Sequence, residues 1–222
     1  MMRSHGTMRS ENAGPTTGDL ANLLSAASLE PLSPAIVAKF DEYLALIQRW
    51  NARMNLTAIR EPRDILMRHF VESIACTQHL SSGIGSLLDF GSGAGFPGIP
   101  IALCRPEIRV TLAESQTKKA AFLREAVRVL ELNCSVFGQR AESLTQQFDC
   151  VALRAVDQME RAVASACRLV RPGGWLAIMT TMAELPVIHA AAGDQFNCSE
   201  TMLLPGSDQR VLAVSSRATT TA

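Results

Sequence analysis

The stretch that most constrains this chain is Leu87-Leu88-Asp89-Phe90-Gly91-Ser92-Gly93-Ala94-Gly95-Phe96-Pro97-Gly98. A short apolar run ends in an acid and opens into alternating glycines. A strand that stops in such a loop and restarts as a helix lets a ligand lie on main-chain atoms, because glycine has no Cβ to block the approach. Glu114 ends a second strand-like run, Arg109–Ala113, about 20 residues on, where a carboxylate can accept both hydroxyls of a ribose. The dinucleotide pattern needs a third glycine at position 96, and Phe96 stands there. The loop reads Asp-x-Gly-x-Gly-x-Gly instead.

Composition narrows the class. A chain of 222 residues suits one α/β domain with a modest extension, and 47% hydrophobic with 19% charged residues is ordinary for a packed globular protein. No apolar run approaches the roughly 20 residues that span a bilayer. Met1–Gly18 is polar and lacks the apolar centre of a secretory signal; residues 1–30 are expected to be a disordered or loosely ordered tail. The six cysteines, Cys76, Cys104, Cys134, Cys150, Cys167 and Cys198, form no Cys-x-x-Cys and sit mostly in apolar runs, as buried thiols of a reducing compartment do. A cytoplasmic protein without a metal site is expected. Net charge is zero, but two segments are basic: Arg49 to His69, and Arg105 to Arg128. Both are compatible with a phosphate-binding face.

Ser33-Pro34 predicts a helix start, with a hydroxyl cap and proline at the first helical position. Ile36, Val37, Phe40, Tyr43, Leu44, Ile47 and Trp50 then follow at helical spacing. Asn and Thr between Trp50 and Ile59 suit a capped turn. A second helix is expected from Pro62 to about Leu80, with His69 towards its core side. Residues 31–82 thus form a helical extension. From residue 83 to 217 strands alternate with helices: strands at 86–91, 109–114, 133–137, 149–153 and 175–179, and helices near 97–104, 117–131 and 157–170. This alternation implies a mostly parallel sheet with ligands at the carboxyl ends of its strands. Ser199–Leu204 and Arg210–Ser215, separated by Pro205-Gly206-Ser207-Asp208, read as a C-terminal antiparallel hairpin at the sheet edge.

The glycine loop in this setting resembles the S-adenosylmethionine loop of Rossmann-like methyltransferases. On that likeness Asp89, Gly91, Gly93 and Gly95 hold the methionine part and Glu114 the ribose, while Ala141 and Glu142, after the third strand, bracket the adenine edge. The fourth strand restricts the acceptor. Enzymes that methylate exocyclic amines commonly carry Asn/Asp-Pro-Pro-aromatic here, whereas this chain reads Leu153-Arg154-Ala155-Val156. Methylation of a pyrimidine carbon needs a cysteine nucleophile, and Cys150 lies inside the strand run as a buried thiol does. An acceptor with its own lone pair, such as a ring nitrogen, remains. It has no proton to lose and needs no general base, so catalysis is alignment for in-line attack and exclusion of water. Arg154 then positions cofactor or RNA, since arginine stays charged.

The chain resembles the bacterial small-subunit ribosomal RNA guanine-N7 methyltransferases, the glucose-inhibited division protein B family, from about Phe40 to Leu212. The likeness rests on Trp50-Asn51 with Asn55-Leu56-Thr57-Ala58-Ile59, on His69 with Glu72-Ser73, and on Gly91 to Pro100 with its Pro-Gly-Ile-Pro ending. It continues through Glu114-Ser115, Lys118-Lys119, Phe122-Leu123, Arg140-Ala141-Glu142 and Arg154-Ala155. The resemblance implies cofactor contacts at Gly91, Phe96, Ala141, Glu142 and Arg154. It also implies methyl transfer to N7 of a guanine in the decoding-region loop of 16S ribosomal RNA, presented as RNA or as the 30S subunit. Arg53, Asn55, His69, Lys118, Lys119, Arg124 and Thr180 are the RNA-binding candidates. Thr180-Thr181 departs from the Lys-Gly of the family, removing a charge at the end of a strand expected to face RNA. Two other functions fit the same residues: methyl transfer to a different acceptor, and RNA binding in ribosome assembly without turnover.

Overall fold

The computed structural model describes residues 17–219. The aliphatic runs form β1 (Ser86–Phe90), β2 (Arg109–Ala113), β3 (Cys134–Phe137), β4 (Phe148–Arg154) and β5 (Val170–Thr181), all parallel. β6 (Phe196–Leu203) and β7 (Arg210–Arg217) complete a seven-stranded sheet in the order β3-β2-β1-β4-β5-β7-β6. The hairpin is antiparallel, as its sequence implies, but only one of its strands is an edge. β7, buried from Val211 to Ser215, inserts between β5 and β6, and the polar β6 takes the outside. An apolar strand gains most from neighbours on both sides, and a polar one tolerates the edge.

Strand residues alternate between two layers of helix. Leu87, Cys150 and Ala152 face α2 (Pro34–Asn51), α5 (Gly98–Cys104) and α6 (Thr117–Val129). Leu88, Val151 and Leu153 face α7 (Met159–Leu169) and α8 (Leu185–Ala192). Between β1 and β4 the strand order reverses, so their crossovers leave to opposite faces and a crevice opens at their carboxyl ends.

The helical extension begins as expected: Ser33 caps α2, its Oγ accepting from the Ile36 amide at 3.3 Å, and Pro34 opens the helix. The capped turn also forms, with Asn51 Oδ1 accepting from the amides of Leu56 and Thr57 at 3.0 Å each. The second helix departs from regularity. α3 (Pro62–Ile65) runs into a π-helical segment, Leu66–Val71, before α4 (Glu72–Gln78) resumes the ordinary pitch. A π segment turns side chains to directions an α-helix does not offer and recurs at functional sites.

The expected disorder of residues 1–30 does not hold from Thr17 on. Thr17–Ala26 is a helix, α1, and Leu20 and Leu24, each 1% exposed, join the core beneath the extension. Leu20, Leu23 and Leu24 stand at helical spacing, enough apolar surface to dock one short helix. The rest of that expectation, residues 1–16, lies outside the described residues. Among the described residues the six cysteines are free thiols; Cys198 is exposed, unlike the buried set expected.

Candidate active site

The crevice is a cavity of about 940 Å³. The glycine loop forms its floor. Gly91, Gly93 and Gly95 all hold positive φ, at +76°, +58° and +92°, but for different reasons. A Cβ on Gly91 would meet Val156 Cγ1 at 2.8 Å, and one on Gly95 would meet Ile99 Cδ1 at 2.5 Å. A Cβ on Gly93 would find only the Gly91 carbonyl, at 3.9 Å, so Gly93 faces open space. Gly93 is therefore where a ligand can rest on backbone, and its neighbours are glycine for packing.

Asp89, expected against the ligand, stands behind the loop. It is fully buried, its Oδ2 accepts from the Gly98 amide at 3.0 Å, and it does not line the cavity. Burial lifts its carboxyl to about 7. The acid thus fixes the start of α5 rather than touching the crevice. Gly95 also lies outside the lining, and the Tyr43 hydroxyl donates to the Ala94 carbonyl beside it.

Glu114 lines the cavity and braces it. One carboxylate oxygen accepts from the Gly93 amide at 3.0 Å and the other from the Gln116 amide at 2.7 Å. Each oxygen keeps a further acceptor site for a ligand hydroxyl. Ala141 and Glu142 lie on a 3₁₀ turn after β3 and line the same cavity, Ala141 buried and Glu142 exposed.

The opposite wall is an aromatic and ionic cluster. Phe96 stacks on His69 with ring centroids 4.6 Å apart, and Arg154 Cζ stands 5.8 Å from the Phe96 centroid. Thr57 Oγ1 lies 2.9 Å from His69 Nε2. Burial, with Arg154 and Arg68 nearby, lowers the His69 pKa to about 3, so the ring is neutral at physiological pH. Arg154 donates through Nη2 to the Arg68 carbonyl and to Glu72 Oε2, the latter at 3.0 Å. Glu72, 1% exposed, takes Arg210 on its other oxygen at 2.8 Å. One buried carboxylate therefore ties the end of the π segment to β4 and β7. His69 Nδ1 and Arg154 Nη1 are buried without hydrogen-bond partners among the described residues.

The RNA-binding candidates separate. His69 and Lys119 line the cavity. Arg53, Asn55, Lys118 and Arg124 are exposed but outside its lining; Asn55 pairs with Arg60 at 2.7 Å, and Arg124 lies over Gly138. Thr180 does not face outwards. It is 6% exposed, and its hydroxyl donates to Glu184 Oε2 at 2.6 Å, at the start of the turn that leads into α8. Its partner lies in the 3₁₀ turn Met182–Glu184 that leads into α8, a helix not among those expected from the sequence. Thr181-x-x-Glu184 with Pro186 just inside the helix was the available signal: Thr181 and Glu184 form a reciprocal capping box. Arg68, Arg140, Gln158 and Arg161 line the cavity and are not among the site residues expected from the sequence, and neither is the buried Glu72 behind them.

Sheet order, glycine loop and second-strand acid together define a Rossmann-like S-adenosylmethionine-dependent methyltransferase fold. Solved structures with this build include a predicted O-methyltransferase from Agrobacterium tumefaciens (TM-score 0.58, 20% identity, 67% of this chain and 81% of that one). Another is an S-adenosylmethionine-dependent methyltransferase from Aquifex aeolicus (TM-score 0.57, 16% identity, 70% and 93%). Sequence takes the assignment further. The family described as rRNA small subunit methyltransferase G, GidB, matches residues 36–199. Proteins named ribosomal RNA small subunit methyltransferase G from Xanthomonas axonopodis pv. citri and Stenotrophomonas maltophilia are 45% and 43% identical over 153 and 164 residues. Those alignments cover 68% and 70% of this chain, and 71% and 76% of the relatives. The chain belongs to the rRNA small subunit methyltransferase G family.

Proposed function

We propose that the protein transfers a methyl group from S-adenosylmethionine to N7 of a guanine in the decoding-region loop of 16S ribosomal RNA, in the cytoplasm, on RNA or on the 30S subunit. The observation that carries this reading is the single cavity joining Gly93, Glu114 and Ala141–Glu142 on one side to His69, Phe96 and Arg154 on the other. The open space at Gly93 fits a ligand that rests on main chain, and Glu114 offers acceptors for ribose hydroxyls. S-adenosylmethionine bound there supplies the methyl group on a positively charged sulfur. Ala141 and Glu142 receive the adenine edge. Phe96, stacked on the neutral ring of His69, forms an aromatic wall that keeps water from the reacting atoms. Arg154, drawn down from its ordinary pKa by burial and held by Glu72, keeps Nη1 for an acceptor on the base or cofactor.

The chemistry needs no base, and neither His69 nor Cys150 is available as one. His69 is too weak a base to take a proton at neutral pH, and the Cys150 thiol, sealed inside β4, is pushed well above its ordinary range. A ring nitrogen with a free lone pair suits such a site, because orientation alone brings it to reaction. Among the described residues no helix is long and apolar enough to cross a membrane, and no cluster of three or more His, Cys, Asp and Glu side chains forms a metal site. Nucleoside mass spectrometry of 16S ribosomal RNA from cells lacking the protein tests the proposal. Loss of one 7-methylguanosine is expected; an unchanged modification profile contradicts it.

A further inference from the structure

A second cavity, of about 540 Å³, adjoins the first. It is built from the start of α7 and from the 3₁₀ turn and first residues of α8, the segments that leave the carboxyl ends of β4 and β5. Met159, Ala183, Val187 and Ile188 make its apolar wall, while Gln158 and Arg161 line both cavities. Exposed apolar surface gathers here. Val187 is 48% exposed in the wall, and Met182, next to Ala183, is 55% exposed. Contiguous exposed apolar surface with a polar rim is characteristic of contact with a ligand or partner.

The partition between the two cavities is held in an uncommon conformation. Ala155 and Gln158 both adopt left-handed φ, +47° and +53°, without being glycine. Such backbone persists where surrounding structure enforces it and clusters at ligand-binding segments. Arg161 stands at this partition with Nη1 donating to Gln158 Oε1 at 2.9 Å, and makes no ion pair among the described residues. Of the two carboxylates at the rim, Glu184 is occupied by Thr180 and Thr181. Glu160 is exposed at the first turn of α7 and free in geometry to accept from an exocyclic amine.

We propose that this second cavity is a subsite for the nucleobase adjacent to the methylated guanine in single-stranded ribosomal RNA. The inference rests on the first cavity being the site of methyl transfer. A single strand that delivers one base there must carry its next phosphate across the partition, where Arg161 offers an unpaired cation, and its next base over the apolar wall beyond. Burying a base face against aliphatic side chains gives affinity with little sequence demand, and Glu160 adds a preference for a base with an exocyclic amine. The occupant is thus a nucleotide of the same strand.

Val187 is exposed, so substitutions there spare the core. Val187→Asn and Val187→Asp are to be compared with the parent in methylation of 30S subunits, with S-adenosylhomocysteine affinity measured alongside by calorimetry. Both variants should raise KM for 30S by roughly fivefold, with cofactor-product affinity within about twofold of the parent. The neutral variant separates loss of base contact from charge repulsion: an effect confined to Val187→Asp overturns the subsite. A benzophenone photoprobe at position 187 should crosslink to the nucleotide next to the methylated guanine; a crosslink only to ribosomal protein, or to distant RNA, also overturns it. A parent that fails to methylate 30S or RNA contradicts the proposed function itself, whereas an active parent with unaffected variants contradicts only the subsite.

Discussion

Gly93 and its two neighbouring glycines look alike in the sequence and differ in the structure. The pattern marks the loop; it does not distinguish the glycine that faces a ligand from those that yield to Val156 or Ile99, because that depends on side chains brought in from elsewhere in the chain. Gly93→Val should therefore weaken S-adenosylhomocysteine binding by about 2 kcal/mol or more, roughly thirtyfold, while circular dichroism shows an intact fold. Parent-like affinity in the folded variant removes Gly93 from the site. Asp89 was legible as a strand-ending acid but not as a buried one. Its folded carboxyl titrates near 7 against an unfolded value near 3.8, so the folded state holds the extra proton between those values. Its contribution to stability is complete below about pH 3.8 and is lost as pH rises through about 7. The urea midpoint of the parent should fall from pH 5.5 to 8 relative to that of Asp89→Asn. Parallel curves would show that Asp89 is already ionised at the lower pH.

At the scale of elements, α2, its Ser33 cap and the Asn51 turn were readable because each rests on contacts within a few residues. The π segment was not, since an apolar stripe from Pro62 to Leu80 reads the same with or without an added residue in one turn. That turn matters because it sets His69 against Phe96 and Glu72 between Arg154 and Arg210. Removing Glu72 leaves two guanidinium groups, both largely buried, without their shared carboxylate. Glu72→Ala should cost about 3 kcal/mol in urea unfolding, and Arg154, freed from its tether, should also lose its fixed place on the cavity wall. A loss below about 1 kcal/mol would mean that the two arginines find other partners or water. Thr180 shows the converse error. The strand end is legible in the sequence, but the turn after it, whose Glu184 accepts from the Thr180 hydroxyl, is not, and the side chain is 6% exposed rather than turned towards RNA.

For the whole molecule, alternating strands and helices were enough to foresee a mostly parallel sheet with its ligand site at the carboxyl edge, because crossover handedness leaves few arrangements. The insertion of β7 inside the sheet and the docking of α1 depend on long-range pairing and burial that local pattern does not encode. The residues of the site point no further than an acceptor with its own lone pair, and the proposal of guanine rests on family resemblance. The most direct measurement is transfer by the purified protein from labelled S-adenosylmethionine to 30S subunits of cells lacking it, followed by nucleoside analysis. One 7-methylguanosine per 16S ribosomal RNA in the decoding-region loop is expected, and little or none with Gly93→Val. Label on another base, at another atom of guanine, or absent from the RNA would contradict it.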